Sequence, residues 1–464
     1  MNQSRARPKR SAAKAGEPAG GGGGRSGGRS GGGGGRRGRR PEPLPDPLLT
    51  ALEEALRLEM PADAVLRRFF RANAQLGRRD RAMIAETVFD VLRHRRSYAQ
   101  FAQAGTGPMP LRLAWLSLTR RGLLEERGAL RIPLPTPEDR TWLARVQATD
   151  ESALPPAVAL SLPDWLYERL CGRFGVEEAQ ALARSLLAPA SLQLRTNTLK
   201  TRPDALLARL GAEGIEARPV AMVPGALEVR GHPALEKQDA GSQLLALLVG
   251  ARRGQTVIDL CAGAGGKTLA LAATMNSQGQ VFACDVSVAR LQRLRPRLVR
   301  SGASNVQPFA IDSLADPKLE RLAGRADAVL IDAPCTGTGT LRRNPDLKWR
   351  MDERDLERLV AEQRSILDAA VRLLKPGGVL VYATCSLLAE ENEAQAAWFE
   401  ARFPRFVRED VREVLRVAGA ELPEDAIRDG ALICRPNRHE TDAFYGIRWR
   451  LAGDSGKKAA DRGG

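Results

Sequence analysis

Several absences narrow what this chain of 464 residues can be. It holds no run of about 18 apolar, uncharged residues, so no transmembrane helix is expected. No apolar stretch follows the N-terminal Met, which argues against a secretory signal. The six cysteines, Cys171, Cys261, Cys284, Cys335, Cys385 and Cys434, include no C-x-x-C pair. A zinc site is therefore unsupported, no metal is expected, and a disulfide scaffold does not suit so long a chain. The expected compartment is reducing and cytoplasmic. Aromatic residues make up only 5% of the chain, so aliphatic side chains must fill the core.

What is abundant is positive charge. Lys and Arg number 71 against 55 Asp and Glu, a formal net charge of +16. Such a balance suits a polyanionic partner. The charge is unevenly placed, because residues 1–40 hold eleven Lys/Arg and one Glu and so carry +10. Residues 1–45 alternate glycine runs with arginine. They have too little to bury to offset their chain entropy, and disorder is expected there and in residues 451–464. The arginines could tether RNA or simply solubilise the chain.

Residues 46–150 read as helical. Leu48, Leu49, Leu52 and Leu56 recur at helical spacing, as do Ile84, Val88, Val91 and Leu92. Arg78, Arg79, Arg81, Arg93, Arg95 and Arg96 make one part of this region strongly basic, which is either an RNA-facing surface or a solvated helix face. Residues 151–235 read as a small α+β module. It has helices near 165–174 and 176–187, a strand at 192–199, and a helix at 203–210 stopped by Gly211. From 236 to 450 strands alternate with helices. Strands are expected at 256–260, 280–285, 306–311, 328–331 and 379–382. Helices are expected at 268–275, 287–300 and 355–374, the last followed by a turn at 375–378. That alternation argues for a parallel, doubly wound sheet.

Four segments carry chemistry. The first, DLCAGAGGKT at 259–268, runs strand, glycine turn, helix start. Glycines admit a ligand close to the backbone, and a helix N-terminus favours a negative group. A phosphate-binding loop would need glycine where Cys261 stands, and a dinucleotide fingerprint would need glycine where Thr268 stands. An adenosyl ligand bearing an amino-acid carboxylate remains. The second feature is Asp285, an acid ending the next strand, which could hold ribose hydroxyls or cap a helix. Asp312 ends the following strand and could reach an adenine or act as a cap. The third and fourth segments, DAPCTGTG at 332–339 and YATCS at 382–386, each put a cysteine just past a strand's C-terminal end. Ligands of open α/β sheets bind at that edge. A thiolate there is a nucleophile if a cation lowers its pKa, and Lys267, Lys348 and Arg342 are the candidates. Cys171 and Cys434 read as structural, and Cys261 and Cys284 as packing around the loop.

On these motifs, residues 236–450 resemble the RNA 5-methylcytosine methyltransferases of the Nol1/Nop2/Sun group. DLCAGAGGKT, DAPCTGTGTLRRNPDLKW at 332–349 and YATCSLLAEEN at 382–392 carry the resemblance. It implies a Rossmann-like class I methyltransferase core that uses S-adenosyl-L-methionine. Cys261, Ala262, Gly263, Ala264, Gly265, Gly266 and Lys267 would line that cofactor, with Asp285 and Asp312 at its ribose and adenine. Asp332 would lie beside both cofactor and base. Cys385 would attack cytosine C6, making C5 nucleophilic, and Cys335 would aid product release. DNA cytosine enzymes attack with the Pro-Cys cysteine instead, so RNA rather than DNA is implied. Residues 46–150, with Phe69-Phe70 and LGRRDR at 76–81, resemble the NusB-like helical domain of RsmB-type bacterial rRNA methyltransferases. LQLRTNTLK at 192–200 resembles the RNA-recognition-like module before the core. The implied substrate is 16S rRNA, with tRNA or a non-catalytic ribosome assembly role as alternatives. No membrane partner and a monomeric state are expected.

Overall fold

The computed structural model describes residues 46–126, 130–230 and 235–453. The expected tail at 1–45 lies outside them, as do residues 454–464 of the other, whereas Leu451 still belongs to the last strand. No helix among the described residues is long and apolar enough to cross a membrane.

Six helices open the described chain: Pro47–Leu56, Ala62–Ala72, Arg78–Arg93, Arg95–Phe101, Met109–Arg120 and Pro137–Ala148. Asp46 starts the first by accepting from Leu48 N and Leu49 N, with Pro47 at the position that needs no donor. The helical stripes close on one aliphatic core, in which Leu48, Leu52, Ile84, Val88, Val91 and Leu92 are fully buried. Leu49 and Leu56 pack at its margin. The basic run is only partly a solvated face. Arg81 Nε donates to Leu76 O at 2.9 Å, Arg93 Nη2 to Arg342 O at 3.0 Å, and Arg96 Nη1 to Asp164 Oδ1 at 2.7 Å.

In the middle module, helices Asp164–Phe174 and Val176–Leu186 are joined through Gly175 at φ 80°. Strand Leu192–Arg195 pairs antiparallel with Ala226–Val229, which pairs in turn with Ala217–Pro219. The expected strand at 192–199 stops early because Asn197 Oδ1 accepts from Leu199 N and turns the chain. Helix Pro203–Ala212 runs through Gly211 rather than ending before it. Gly214, at φ 70°, ends it instead, and Ile215 N donates back to Leu210 O at 2.9 Å.

The large sheet is built on five parallel strands. In spatial order they are Leu374–Thr384, Ala326–Asp332, Thr256–Asp259, Gln280–Asp285 and Val306–Ala310. Antiparallel Phe444–Leu451 joins beside Leu374–Thr384 and carries three further short strands. Successive residues face opposite cores. Ala328 and Leu330 enter one, Val329 and Ile331 the other, so the sheet is covered on both sides. Chain order reverses at Thr256–Asp259, which has the second parallel strand on one side and the fourth on the other. Such a switch point opens a crevice at the strands' C-terminal ends. The turn expected at 375–378 is a bulge within one strand. Leu374 pairs with Ala326 and Val379 with Ala328, so the residues between them oppose Asp327 alone.

Trp449 is fully buried, with its ring centroid 4.5 Å from Phe399 and its Nε1 donating to Glu400 Oε1 at 2.7 Å. Trp449→Ala should therefore lose about 3–5 kcal/mol of stability in urea denaturation, through the aromatic void it leaves.

Candidate active site

The site lies where the parallel strands end. Asp332 pairs in register with Ala383, and Ala333 N donates to Ala383 O at 2.8 Å. Three residues further along one strand is Cys335, and two along the other is Cys385. Their sulfurs stand 3.5 Å apart, both free thiols and both half-buried. The Pro-Cys loop then folds back, and Gly339 N donates to Cys385 O at 2.9 Å. A Cβ at Gly339 would stand 2.4 Å from Ala443 O, so only glycine permits that return.

A buried carboxylate ties the two cysteine loops together. Glu391 Oε1 accepts from Thr336 N and Gln363 Nε2, each at 2.9 Å. Its Oε2 accepts from Thr336 Oγ1 at 2.5 Å and from Ser386 Oγ. Thr336 adjoins Cys335 and Ser386 adjoins Cys385, so a single side chain bonds next to each sulfur. Gln363 Nε2 also donates to Pro334 O at 2.9 Å, and Tyr382 OH to Glu391 O at 2.7 Å. Glu391 and Gln363 were not singled out from the sequence. The one available signal was the acidic pair Glu390-Glu391 shortly after Cys385.

Beside the thiols, Lys267 Nζ donates to Asp332 Oδ2 at 2.7 Å and lies 5.8 Å from the centroid of the Phe444 ring. Burial alone would lower the Lys267 pKa. The ion pair with Asp332 outweighs it, and the ammonium is held above its ordinary range. The Cys385 sulfur is among the groups whose field favours that charge. A hydrogen bond with Cys385, then burial, push the Cys335 thiol well above its usual range. Burial raises Cys261 and Cys284 likewise, and Cys434 to about 12, which disfavours the thiolate form of all three.

The glycine loop runs from Asp259 through Cys261, Ala262, Gly263, Ala264 and Gly265 into helix Gly266–Thr274. Gly265 has φ 81°, and a Cβ there would meet Leu294 Cδ1 at 2.2 Å. Gly263 has φ 57° and opens onto empty space. Asp285 Oδ2 accepts from Gly263 N at 2.8 Å and Oδ1 from Ser287 N at 2.7 Å. It is not the helix cap, because Ser287 caps helix Val288–Ser301. Asp312 is exposed at the next strand end, and Asp316 rather than Asp312 caps the helix after it.

Two of the three candidate cations are elsewhere. Lys348 Nζ donates to Arg93 O at 2.8 Å and Trp349 Nε1 to Leu92 O at 2.6 Å, filling carbonyls left open at the end of helix Arg78–Arg93. Arg342 donates to the carbonyls of Thr441 and Pro189, at 3.5 and 3.3 Å. Only Lys267 serves the cysteines. Among the described residues, no group of three or more His, Cys, Asp or Glu could hold a metal ion.

Comparison with known proteins gives the chain a family. Residues 246–449 fit the family model of the 16S rRNA methyltransferases RsmB/F, and residues 162–236 the ferredoxin-like domain of RsmF/B-like methyltransferases. "Probable ribosomal RNA small subunit methyltransferase B" of Bacillus subtilis is 31% identical over 316 residues, covering 64% of this chain and 68% of that protein. The chain belongs to the RsmB/F family of 16S rRNA methyltransferases. The Synechocystis protein of the same printed name is 33% identical, over 61% of this chain and 66% of its own length. The chain thus spans about two thirds of the length of these curated relatives. The crystal structure of PH0851 superimposes with a TM-score of 0.67 at 25% identity, covering 88% of this chain and 99% of that one. The family match takes in every candidate site residue, from Cys261 to Cys385, and also Glu391.

Glu391→Ala would remove the acceptor shared by four donors beside the cysteines. A loss of about 3–5 kcal/mol in chemical denaturation is expected, since a buried charged partner is removed and its donors stay buried.

Proposed function

We propose that this protein methylates C5 of a cytosine in RNA, with 16S rRNA as substrate, and that Cys385 forms a covalent bond to C6 during the reaction. The observation that carries the reading is the pair of free sulfurs 3.5 Å apart, beside the Lys267–Asp332 pair, at the sheet's switch-point crevice.

The residues around the glycine loop fit S-adenosyl-L-methionine. Gly263 faces open space, and each Asp285 oxygen keeps a lone pair beyond its one backbone donor. Asp312 is exposed for an exocyclic amine, and Asp259 Oδ1 is a buried acceptor with no partner. Cys261, Ala262, Gly263, Ala264, Gly265, Gly266 and Lys267 would cradle the cofactor, with Asp285 at its ribose and Asp312 at its adenine. When bound, it supplies an electrophilic methyl group.

The chain's own residues do the rest. Cys385 Sγ, as thiolate, adds its electron pair to C6, and C5 gains enamine character. Asp332 bonds the N3 and amine edge of the base, and N3 takes a proton through it as the added electron pair builds negative charge in the ring. Lys267 stays cationic and holds Asp332 beside the sulfurs. After C5 is methylated it gives its proton to water, the C5–H electron pair forms the C5–C6 double bond, and the C6–Sγ bond breaks with its electron pair returning to Cys385. Cys335, held protonated, can donate to the departing Cys385 sulfur and so suits this release step rather than the attack. The base must leave its stack to reach half-buried sulfurs, which favours an unpaired segment of RNA. The NusB-like helical region and the small α+β module would supply backbone affinity, so binding should weaken steeply with salt.

Incubating purified protein and S-adenosyl-L-methionine with unmodified 16S rRNA should yield 5-methylcytidine by nucleoside mass analysis. Product with tRNA alone would overturn the substrate, and product with no RNA or subunit would overturn catalysis. Cys335→Ala should accumulate a protein–RNA adduct that survives denaturation, and Cys385→Ala should form none. The reverse pattern would exchange their roles.

A further inference from the structure

The largest cavity among those described is not the cysteine crevice. It is a half-open cleft of about 1050 Å³ between the helical region, the middle module and the segment that follows the Pro-Cys loop. That exceeds the span of about 300–1,000 Å³ usual for small-ligand pockets, and an open cleft of this size suits a length of polymer. Six arginines line it.

Three of those arginines are answered by carboxylates. Arg120 pairs with Glu151 at 2.9 Å, Arg121 with Glu86, and Arg343 with Asp239 at 2.8 Å and with Asp442. The other three, Arg93, Arg184 and Arg342, have no carboxylate within ion-pair distance among the described residues. Arg184 is exposed and donates only to Gln180 Oε1 at 3.3 Å. Arg93 is 6% exposed, bonds only carbonyls, and leaves its Nε without a partner. Arg342 Nε and His94 Nδ1 are likewise buried and unpartnered. One acid faces them, Asp90, whose Oδ2 already accepts from Tyr98 OH at 2.9 Å. The cleft thus keeps surplus positive charge and orphaned donors, and Phe89, Leu154 and Leu187 give it an apolar ledge. Burial, then Arg120, Lys348 and Arg93, drive His94 down to about 2, so its ring is neutral there.

We infer that this cleft binds the sugar–phosphate backbone of the substrate RNA at a segment flanking the target cytosine. The inference rests on the RNA reading above. Guanidinium forks match phosphate oxygens, and unpaired buried donors gain most from an anion that enters. The flanking position follows from the chain itself. Arg342 and Arg343 sit seven and eight residues past Cys335, and their contacts with Thr441 and Asp442 adjoin Ala443 and Phe444 of the cysteine site. One segment therefore forms both the cleft wall and the cysteine loop.

The test uses the full chain and 16S rRNA, with affinity measured over a salt series. Arg184→Glu, an exposed change that should not disturb folding, is expected to weaken binding about tenfold or more and to lower the salt slope by about 1. Arg342→Ala should act in the same direction. In both, kcat at saturating RNA should stay near the wild-type value while KM rises. Arg416→Glu, an exposed change outside the cleft lining, should change neither Kd nor slope. Wild-type affinity and slope in both cleft variants would overturn the inference, as would displacement by polyglutamate of the same effectiveness as RNA. Unmethylated RNA that still binds through the cleft would overturn the catalytic reading and leave this one standing.

Discussion

The whole site depends on the in-register pairing of strand Ala326–Asp332 with strand Leu374–Thr384. Because side chains alternate along a strand, a slip of one residue would turn each strand's buried set to the opposite face. The two cysteines would then leave for different sides of the sheet. The register is secured from several directions at once. The sheet buries both faces, Phe444–Leu451 pairs along the outer side of Leu374–Thr384, and Glu391 bonds beyond the strand ends to both loops. The bulge at the strand's start absorbs three extra residues without passing the error on to Thr384.

The charge arrangement follows from the same geometry. A buried lysine is costly unless it is paired, and Lys267 has one partner at 2.7 Å. That partner, Asp332, is partly open to the crevice, so the pair is buried at the cation and accessible at the anion. The crevice therefore presents a carboxylate edge to a base and keeps its positive charge behind. Glu391 is the contrasting case. It is fully buried and fully engaged, and it offers nothing to a ligand.

Sequence spacing made the strand ends legible, and with them Cys335, Cys385, Asp332 and the glycine loop, because each lies at a fixed offset from a hydrophobic run. Helix stops were less legible. Gly211 looked like a terminator, yet the left-handed residue is Gly214. Lys348 and Arg342 looked like cations for the cysteines because they are near in sequence. Their acceptors, Arg93 and Pro189, are far away along the chain, and no local pattern reports them. Glu391 was hidden for a similar reason. Its residue type is ordinary at a helix start, and only the folded chain brings Thr336 and Gln363 to it.

The segment after Pro-Cys has one more property. Within eight residues it gives Arg342 O to Arg93, Asp346 Oδ2 to Ala62 N, Lys348 Nζ to Arg93 O and Trp349 Nε1 to Leu92 O. The helical region thus serves as a mould against which the loop behind Cys335 is cast. Cutting that region away would not subtract a detachable handle. It would strand a buried amine and an indole, and would free the far end of the loop that carries one of the two sulfurs. Separately expressed halves of this chain should therefore behave as complementing fragments rather than as independent enzyme and adaptor.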